Sequence, residues 1–261
     1  MITSTRNPKI QRIRLLQSRA RQRRQEGAFV VEGVRLGEEA LRSGWEAQFV
    51  LHAAELERRG QALVEGFAAR GVEVEAAAEH VLSAASDTQT PQGVLVVLSM
   101  KPLPLPDSAT LVFIPDGVRD PGNLWSMLRS AAAAGVQAAL LPPGTADPFA
   151  PKVVRAAMGA HFRLPLRAVS WRELRSYLES WGLQVYLAEA AAGLAYTQAD
   201  LRSPLALIIG GEAAGAGAEA LDLQPLRLQI PMPGGMESLN AAAASAVLLF
   251  EIVRQRGLPR R

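Results

Sequence analysis

Cysteine is absent from the 261 residues, which removes disulfides, thiol catalysis and thiolate metal sites from consideration. Only three histidines are present, His52, His80 and His161, scattered without ligand spacing, so no metal site is expected. Long uninterrupted apolar runs are also missing. Residues 1–16 carry arginines where a secretory signal would need an apolar core. The most apolar helical stretch, residues 239–253, is too short to span a bilayer and carries Asn240 and Glu251. These absences predict a soluble, cytoplasmic protein with no membrane partner.

Acidic residues are missing from one place in particular. Residues 1–25 hold 8 basic groups and no acid, whereas residues 26–100 hold 5 basic and 12 acidic groups and residues 101–261 hold 15 and 13. A chain whose overall charge is only +3 therefore concentrates its basic character at one end, which points to a polyanion partner there. Nearly all of the basic residues are arginine, the residue suited to bidentate phosphate contact. Codon preference explains the overall bias equally well, but not the clustering. Ile10, Ile13 and Leu16 share one helical face, so residues 8–24 are predicted to form a basic amphipathic helix. A membrane-surface helix would look similar, yet this one has no aromatic anchor and only a thin apolar stripe. Nucleic acid is the better partner, and Arg6, Lys9, Arg12, Arg19, Arg23 and Arg24 are the candidate RNA contacts.

The length exceeds that of one usual compact domain. Short apolar runs at residues 29–31, 48–51, 72–74 and 94–98 alternate with helical stretches and predict a small α/β unit. Residues 101–107, Lys-Pro-Leu-Pro-Leu-Pro-Asp, cannot hold a regular helix or a central strand and read as a linker. Beyond them, candidate strands at 111–114, 138–141, 183–187, 205–209 and 226–230 are separated by helices near 121–134, 151–158, 171–181 and 240–254. Strands apolar on both faces and alternating with helices indicate a parallel sheet covered on both sides. The expected division is a basic helical arm (1–25), a small α/β domain (26–100), the linker (101–107) and a larger parallel-sheet domain (108–261).

Three dense segments lie just after predicted strands, where ligands bind in such sheets. The first is Asp120-Pro121-Gly122-Asn123-Leu124-Trp125-Ser126-Met127-Leu128-Arg129, a helix entrance with Arg129 six residues, close to two turns, beyond Asn123, so that both are expected to face one cleft. It suits an RNA phosphate; equally, Asp120 or Asn123 caps the helix and Arg129 pairs with a surface acid. The second is Gly210-Gly211-Glu212-Ala213-Ala214-Gly215. It has neither the Lys-Ser/Thr of a P-loop nor dinucleotide-binding glycine spacing, so it is either a plain turn or a loop closing on a ligand. The third runs from Ile230 through Met232, Gly234 and Gly235 to Ser238, Leu239 and Asn240, with apolar walls, a sharp bend and polar groups at a helix start. A Pro/Gly loop with an ordinary N-cap accounts for Ser238 but not for the whole run.

With these segments in this order, the chain resembles the SpoU-type (TrmH-like) RNA ribose 2'-O-methyltransferases of the SPOUT class. The front half is similar to the family's ribosomal-protein-like substrate-binding domain through Asn7-Pro8-Lys9, Phe29-Val30-Val31-Glu32-Gly33 and Asp87-Thr88-Gln89-Thr90-Pro91-Gln92-Gly93. The resemblance implies an α/β fold whose C-terminal parallel-sheet domain is tied in a trefoil knot, one of the rare exceptions to unknotted chains, beside a smaller N-terminal α/β domain. It implies S-adenosyl-L-methionine held by Gly210, Gly211, Glu212, Ile230, Met232 and Leu239, and catalysis by Arg129 with Asn123, Ser238 and Asn240. It also implies a homodimer through the knotted domain with an active site drawn from both protomers. Large-subunit ribosomal RNA is the expected substrate; transfer RNA, and a non-catalytic RNA-binding or ribosome-assembly role, are the alternatives. One residue departs from the family pattern: Trp125 stands where a glycine is usual, and its ring would either narrow the RNA cleft or stack on a base.

Overall fold

The computed structural model of the protein describes residues 1–88, 91–191, 193–211 and 215–257. Its first elements are α1 (Pro8–Ser18), α2 (Ala20–Glu26), β1 (Ala28–Glu32), α3 (Val34–Ser43), β2 (Ala47–Ala53), α4 (Arg58–Ala68), β3 (Glu73–Ala77), α5 (Glu79–Ala85) and β4 (Val94–Ser99). The linker follows without helix or strand. Then come β5 (Leu111–Asp116), α6 (Pro121–Ala133), β6 (Ala138–Leu141), α7 (Pro151–Ala156), β7 (Leu166–Ala168), α8 (Trp171–Ser180) and β8 (Gln184–Ala188). The chain continues through β9 (Leu194–Ala195), β10 (Leu205–Gly210), α9 (Ala218–Leu221) and β11 (Leu226–Gln229) to α10 (Ala241–Arg256). Among the described residues no helix is long and apolar enough to cross a membrane.

Two compact units result, one of residues 1–101 with 147–162 and the other of residues 102–146 with 163–261. The first holds a four-stranded sheet in the order β1-β4-β2-β3. Alternation along β1 sends Ala28 and Val30 to one face, where Ile10, Ile13 and Leu16 of α1 pack on them fully buried. The basic segment is thus no separate arm; its apolar stripe is one wall of this core. Nor is it one helix. Arg19 is extended (φ −126°, ψ 111°), and the Arg23 guanidinium folds back to donate to the carbonyls of Leu16 (2.6 Å) and Gln17 (3.1 Å). A side chain satisfying orphan C-terminal carbonyls ends α1 there.

Phe29 points to the opposite face of the sheet, where residues 147–162 belong. The Phe149 ring lies 5.0 Å from that of Phe29 and the Phe162 ring 5.2 Å from that of Trp45. The sequence groups this stretch with the C-terminal half. Its aromatic residues instead cover the first unit's sheet, and Asp147 accepts from Arg23 at 3.0 and 2.6 Å.

The second unit is built on a seven-stranded sheet, order β7-β6-β5-β10-β8-β11-β9, with every recorded pairing parallel. Apolar residues on both faces of β5, β6 and β10 are buried, as a sheet covered by helices on both sides requires. From β5 the chain passes outward through β6 to β7, then returns to build the other half, so the order switches between β5 and β10. A crevice opens next to that switch, at the C-terminal ends of β10, β8 and β11. The short strands β7 and β9 and the single turn α9 have no sequence periodicity long enough to announce them.

Candidate active site

At the end of β5 the chain must turn into α6, and Asp120 caps that helix by accepting from the Asn123 N–H at 2.8 Å, with Pro121 in its first turn. Capping is therefore the work of Asp120, and it leaves the Asn123 side chain free. At the far end of the third segment Asn240 caps α10, its Oδ1 accepting from the N–H groups of Ala242 (2.9 Å) and Ala243 (3.2 Å). Its Nδ2 donates to Asn123 Oδ1 at 2.9 Å. One amide thus uses both ends, starting a helix and tying the first dense segment to the third. No hydrogen bond of Ser238 is recorded among the described residues.

The second segment follows β10 and folds tightly back. A Cβ on Gly210 would meet Ala216 N and Gly215 C at 2.5 Å, and one on Gly211 would meet the Gly117 carbonyl oxygen at 2.6 Å. Only glycine permits both approaches. Asp116, buried at the tip of β5, accepts from the Gly217 N–H at 2.7 Å and so anchors the returning end of this loop. Burial raises the Asp116 carboxyl above its usual range, with the Gly217 N–H opposing and the Glu219 charge adding.

These loops enclose a cavity of about 440 Å³, within the size range of small-ligand sites. Gly210, Gly211, Ile230, Met232, Ser238, Leu239 and Asn240 line it, all of them candidates from the sequence. Glu212 lies outside the described residues, as do Gln89 and Thr90 of the front-domain motif. Ile209, Leu228, Ile230 and Leu239 make apolar walls against which a heteroaromatic ring can lie, while the glycine stretch exposes backbone polar groups.

Sequence reasoning missed Glu189, the carboxylate beyond the end of β8. It lines the cavity and pairs with Arg227 at 3.0 Å. Its position one residue past a parallel strand was the available signal. Asp116 was missed as well, because burial of a carboxylate at a strand tip leaves no sequence pattern.

The structure does not bring Arg129 to this cavity. Asn123 and Arg129 are six residues apart, roughly 120° around the helix axis, so the expected shared cleft does not form within one chain. Asn123 turns to Asn240, and Arg129 is exposed with no ion pair or hydrogen bond among the described residues.

The candidate RNA contacts divide. Arg6, Arg19 and Arg24 are exposed with bare guanidinium groups. Lys9 is held by Glu73 (2.6 Å) and Glu75 (2.9 Å), Arg12 by Glu26 (2.5 Å) and Gln48 (2.6 Å), and both lie over the Phe49 ring. Arg23 is buried with its donors occupied. Arg14 and Arg21, absent from the candidate set, are exposed and bare. No group of His, Asp and Glu able to hold a metal ion occurs among the described residues.

A glycine-walled cavity at the C-terminal ends of β8, β10 and β11, with the α10 cap Asn240 hydrogen-bonded to Asn123, fits the resemblance seen in the sequence. Residues 110–250 match the SpoU rRNA methylase family and residues 7–96 an MRM3-like substrate-binding domain. The chain belongs to the SpoU family. Over 96% of its length it is 35% identical to the 23S rRNA (guanosine(2553)-2'-O)-methyltransferase RlmP of Bacillus subtilis, 98% of which is covered. An AdoMet-bound rRNA methyltransferase from Sinorhizobium meliloti superposes with a TM-score of 0.86 at 31% identity, covering 97% of each chain. The SpoU methyltransferase AviRb from Streptomyces viridochromogenes superposes at 0.87 with 29% identity, over 96% of this chain and 98% of that one. The SpoU match spans the whole crevice, and the front-domain match spans α1 through the first half of β4.

Proposed function

We propose that this SpoU protein transfers a methyl group to a ribose 2'-hydroxyl of large-subunit ribosomal RNA. The observation that carries the reading is the glycine-walled cavity whose lining residue Asn240 bonds Asn123. S-adenosyl-L-methionine suits it: apolar walls for the adenine, backbone groups for its polar edges, and room for a ligand of that size. Bound there, the cofactor supplies an already activated methyl group. The protein's own task is alignment and the removal of one proton.

Asn240, fixed by three hydrogen bonds, sets the position of the rim, and Ser238 offers the ribose a free hydroxyl. Arg129 holds the RNA phosphate and stabilises negative charge developing on the 2'-oxygen. It is a proton acceptor only secondarily, since a guanidinium presents N–H donors and no acceptor.

Because Arg129 faces away from its own chain's cavity, the reading includes a homodimer in which each protomer lends this side chain to the other. The outer face of α10 supports it, with Val247 36% and Phe250 49% exposed beside the buried Leu248, Leu249 and Ile252. The loops following β10 and β11, residues 210–217 and 230–240, are the segments that would be threaded in a trefoil knot. A cytoplasmic location is part of the same proposal, since the protein must share a compartment with its ribosomal RNA. The full-length match to rRNA enzymes, front domain included, favours ribosomal over transfer RNA.

The test is incubation with labelled S-adenosyl-L-methionine and unmodified total RNA, followed by mapping of alkali-resistant linkages. One labelled position in large-subunit RNA is the expected result. Label confined to transfer RNA would replace the substrate, and no transfer without cofactor binding by calorimetry would leave a non-catalytic RNA-binding protein.

A further inference from the structure

The side chain at position 125 is the feature of the site that the methyl-transfer reading leaves without a task. On α6 the face carrying Leu124, Met127, Leu128 and Ala131 is buried. Trp125 and Arg129 stand on the other face, four residues apart. They are therefore roughly 40° apart around the axis and about 6 Å along it, the spacing at which helical side chains are neighbours.

Tryptophan elsewhere in the chain is used for packing or hydrogen bonding. Trp45 donates to the Ser99 carbonyl (2.6 Å) and sits edge-on to Phe29, Trp181 donates to the Asp107 carbonyl (3.1 Å) and stacks on Tyr177, and Trp171 packs against the core of the second unit. Trp125 is half-buried and has no ring contact, no cation–π contact and no hydrogen bond among the described residues. A half-buried indole with no partner, one turn from an unpaired guanidinium, leaves aromatic surface and a cation side by side for a ligand.

We infer that Trp125 is a specificity-determining residue that stacks on a nucleobase next to the methylated ribose while Arg129 takes the phosphate. The inference rests on the proposed function. Its geometric basis is that both side chains ride on one turn of one helix, so wherever Arg129 delivers its charge Trp125 delivers its ring. The occupant is RNA by complementarity: a cation and a π-face side by side match the phosphate and base of a single-stranded nucleotide. Asn123 of the same helix bonds the cavity residue Asn240, and Trp125 and Arg129 lie well around the helix from it, so ring and charge are carried together away from the chain's own cavity.

Trp125→Ala isolates the ring, since alanine keeps the helix at least as stable. The probe is a ribosomal RNA hairpin carrying the mapped ribose, intact or with an abasic riboside at each neighbouring position in turn. Loss of one stacked base predicts roughly 5- to 150-fold weaker binding of the intact hairpin by Trp125→Ala. Trp125→Phe stays within a few-fold of wild type, and cofactor affinity does not change. On one of the abasic hairpins, wild type and Trp125→Ala bind alike. Quenching of tryptophan fluorescence by the intact hairpin falls in both variants.

Equal binding of the intact hairpin by wild type and Trp125→Ala overturns the inference. So does a Trp125→Ala deficit that persists on every abasic hairpin, or a shift of Trp125→Ala from dimer to monomer in sedimentation, which would make the ring an interface residue. Absence of methyl transfer by the wild-type chain overturns the underlying reading as well, and is seen separately.

Discussion

Arg23 and Arg129 are both helical arginines in segments that read as RNA-binding, and they meet opposite surroundings. Arg23 is buried, bridging α1 carbonyls to Asp147 within the first unit. Arg129 stands exposed and bare on α6. The first lies in the most basic stretch of the chain, the second in a stretch of ordinary charge. Local charge density is thus a poor guide to which guanidinium is offered to a ligand; what decides is whether neighbouring elements supply acceptors. α1 and α2 meet Asp147 and Glu26, while the outer face of α6 meets none among the described residues.

The largest effects should separate these two residues. Arg129→Ala is expected to lower turnover by at least ~10²- to 10³-fold, the cost of losing one group that stabilises transition-state charge. Calorimetric cofactor binding and thermal stability should stay at wild-type values. Unchanged turnover would remove Arg129 from the mechanism. Arg23→Ala should do the reverse, destabilising the protein by about 3–5 kcal/mol in urea unfolding because Asp147 is left as a mostly buried, unpaired charge. The double change Arg23→Met with Asp147→Leu should recover most of that loss. An Arg23→Ala protein as stable as wild type but defective in RNA binding would invert the comparison.

A smaller effect comes from the same buried region. His161 is fully buried, its Nε2 2.6 Å from the Pro148 carbonyl and its Nδ1 without a partner. Burial pulls its pKa down to about 4 from 6.5. Above pH 6.5 the ring is neutral in folded and unfolded chains alike. As the pH falls from 6.5 toward 4, the unfolded chain takes up a proton that the folded chain refuses, so stability drops across that window by up to roughly 3 kcal/mol. Urea midpoints measured from pH 7 to 4 should fall for wild type and less steeply for His161→Phe. Equal slopes would assign the acid sensitivity to other groups.

Most of the strand and helix order was legible because it is written in apolar runs and their spacing. β1, β2, β4, β5, β6, β8 and β10 overlap the runs that predict them, as do α6, α8 and α10. The cavity lining was legible because glycine and proline are tied to backbone shape: Gly210 and Gly211 are where a Cβ would strike backbone. Long-range pairing was not. Nothing local says that residues 147–162 would cover the β1–β4 sheet or that Arg23 would reach Asp147. Each depends on which element a side chain meets, and composition carries no record of that. The six-residue spacing of Asn123 and Arg129 misled for a related reason, since two nominal turns still leave a third of a turn in angle.

The weakest effect sharpens the comparison within the basic segment itself. Arg14, Arg19 and Arg24 are exposed and unpaired, whereas Lys9 and Arg12 are occupied by carboxylates and the Phe49 ring. Only the first set is free to displace counterions from RNA. Each phosphate contact with single-stranded RNA contributes about 0.7 to the slope of log affinity against log salt. Replacing Arg14, Arg19 and Arg24 together by alanine should therefore flatten that slope by about 2, with little change in stability because none of the three holds a partner. Replacing Lys9 and Arg12 should leave the slope in place and lower the unfolding midpoint slightly, as partly exposed ion pairs contribute little. If instead the Lys9 and Arg12 variants flatten the slope, their internal pairs must open on RNA, and the carboxylates of Glu26, Glu73 and Glu75 would act as gates for the same cations.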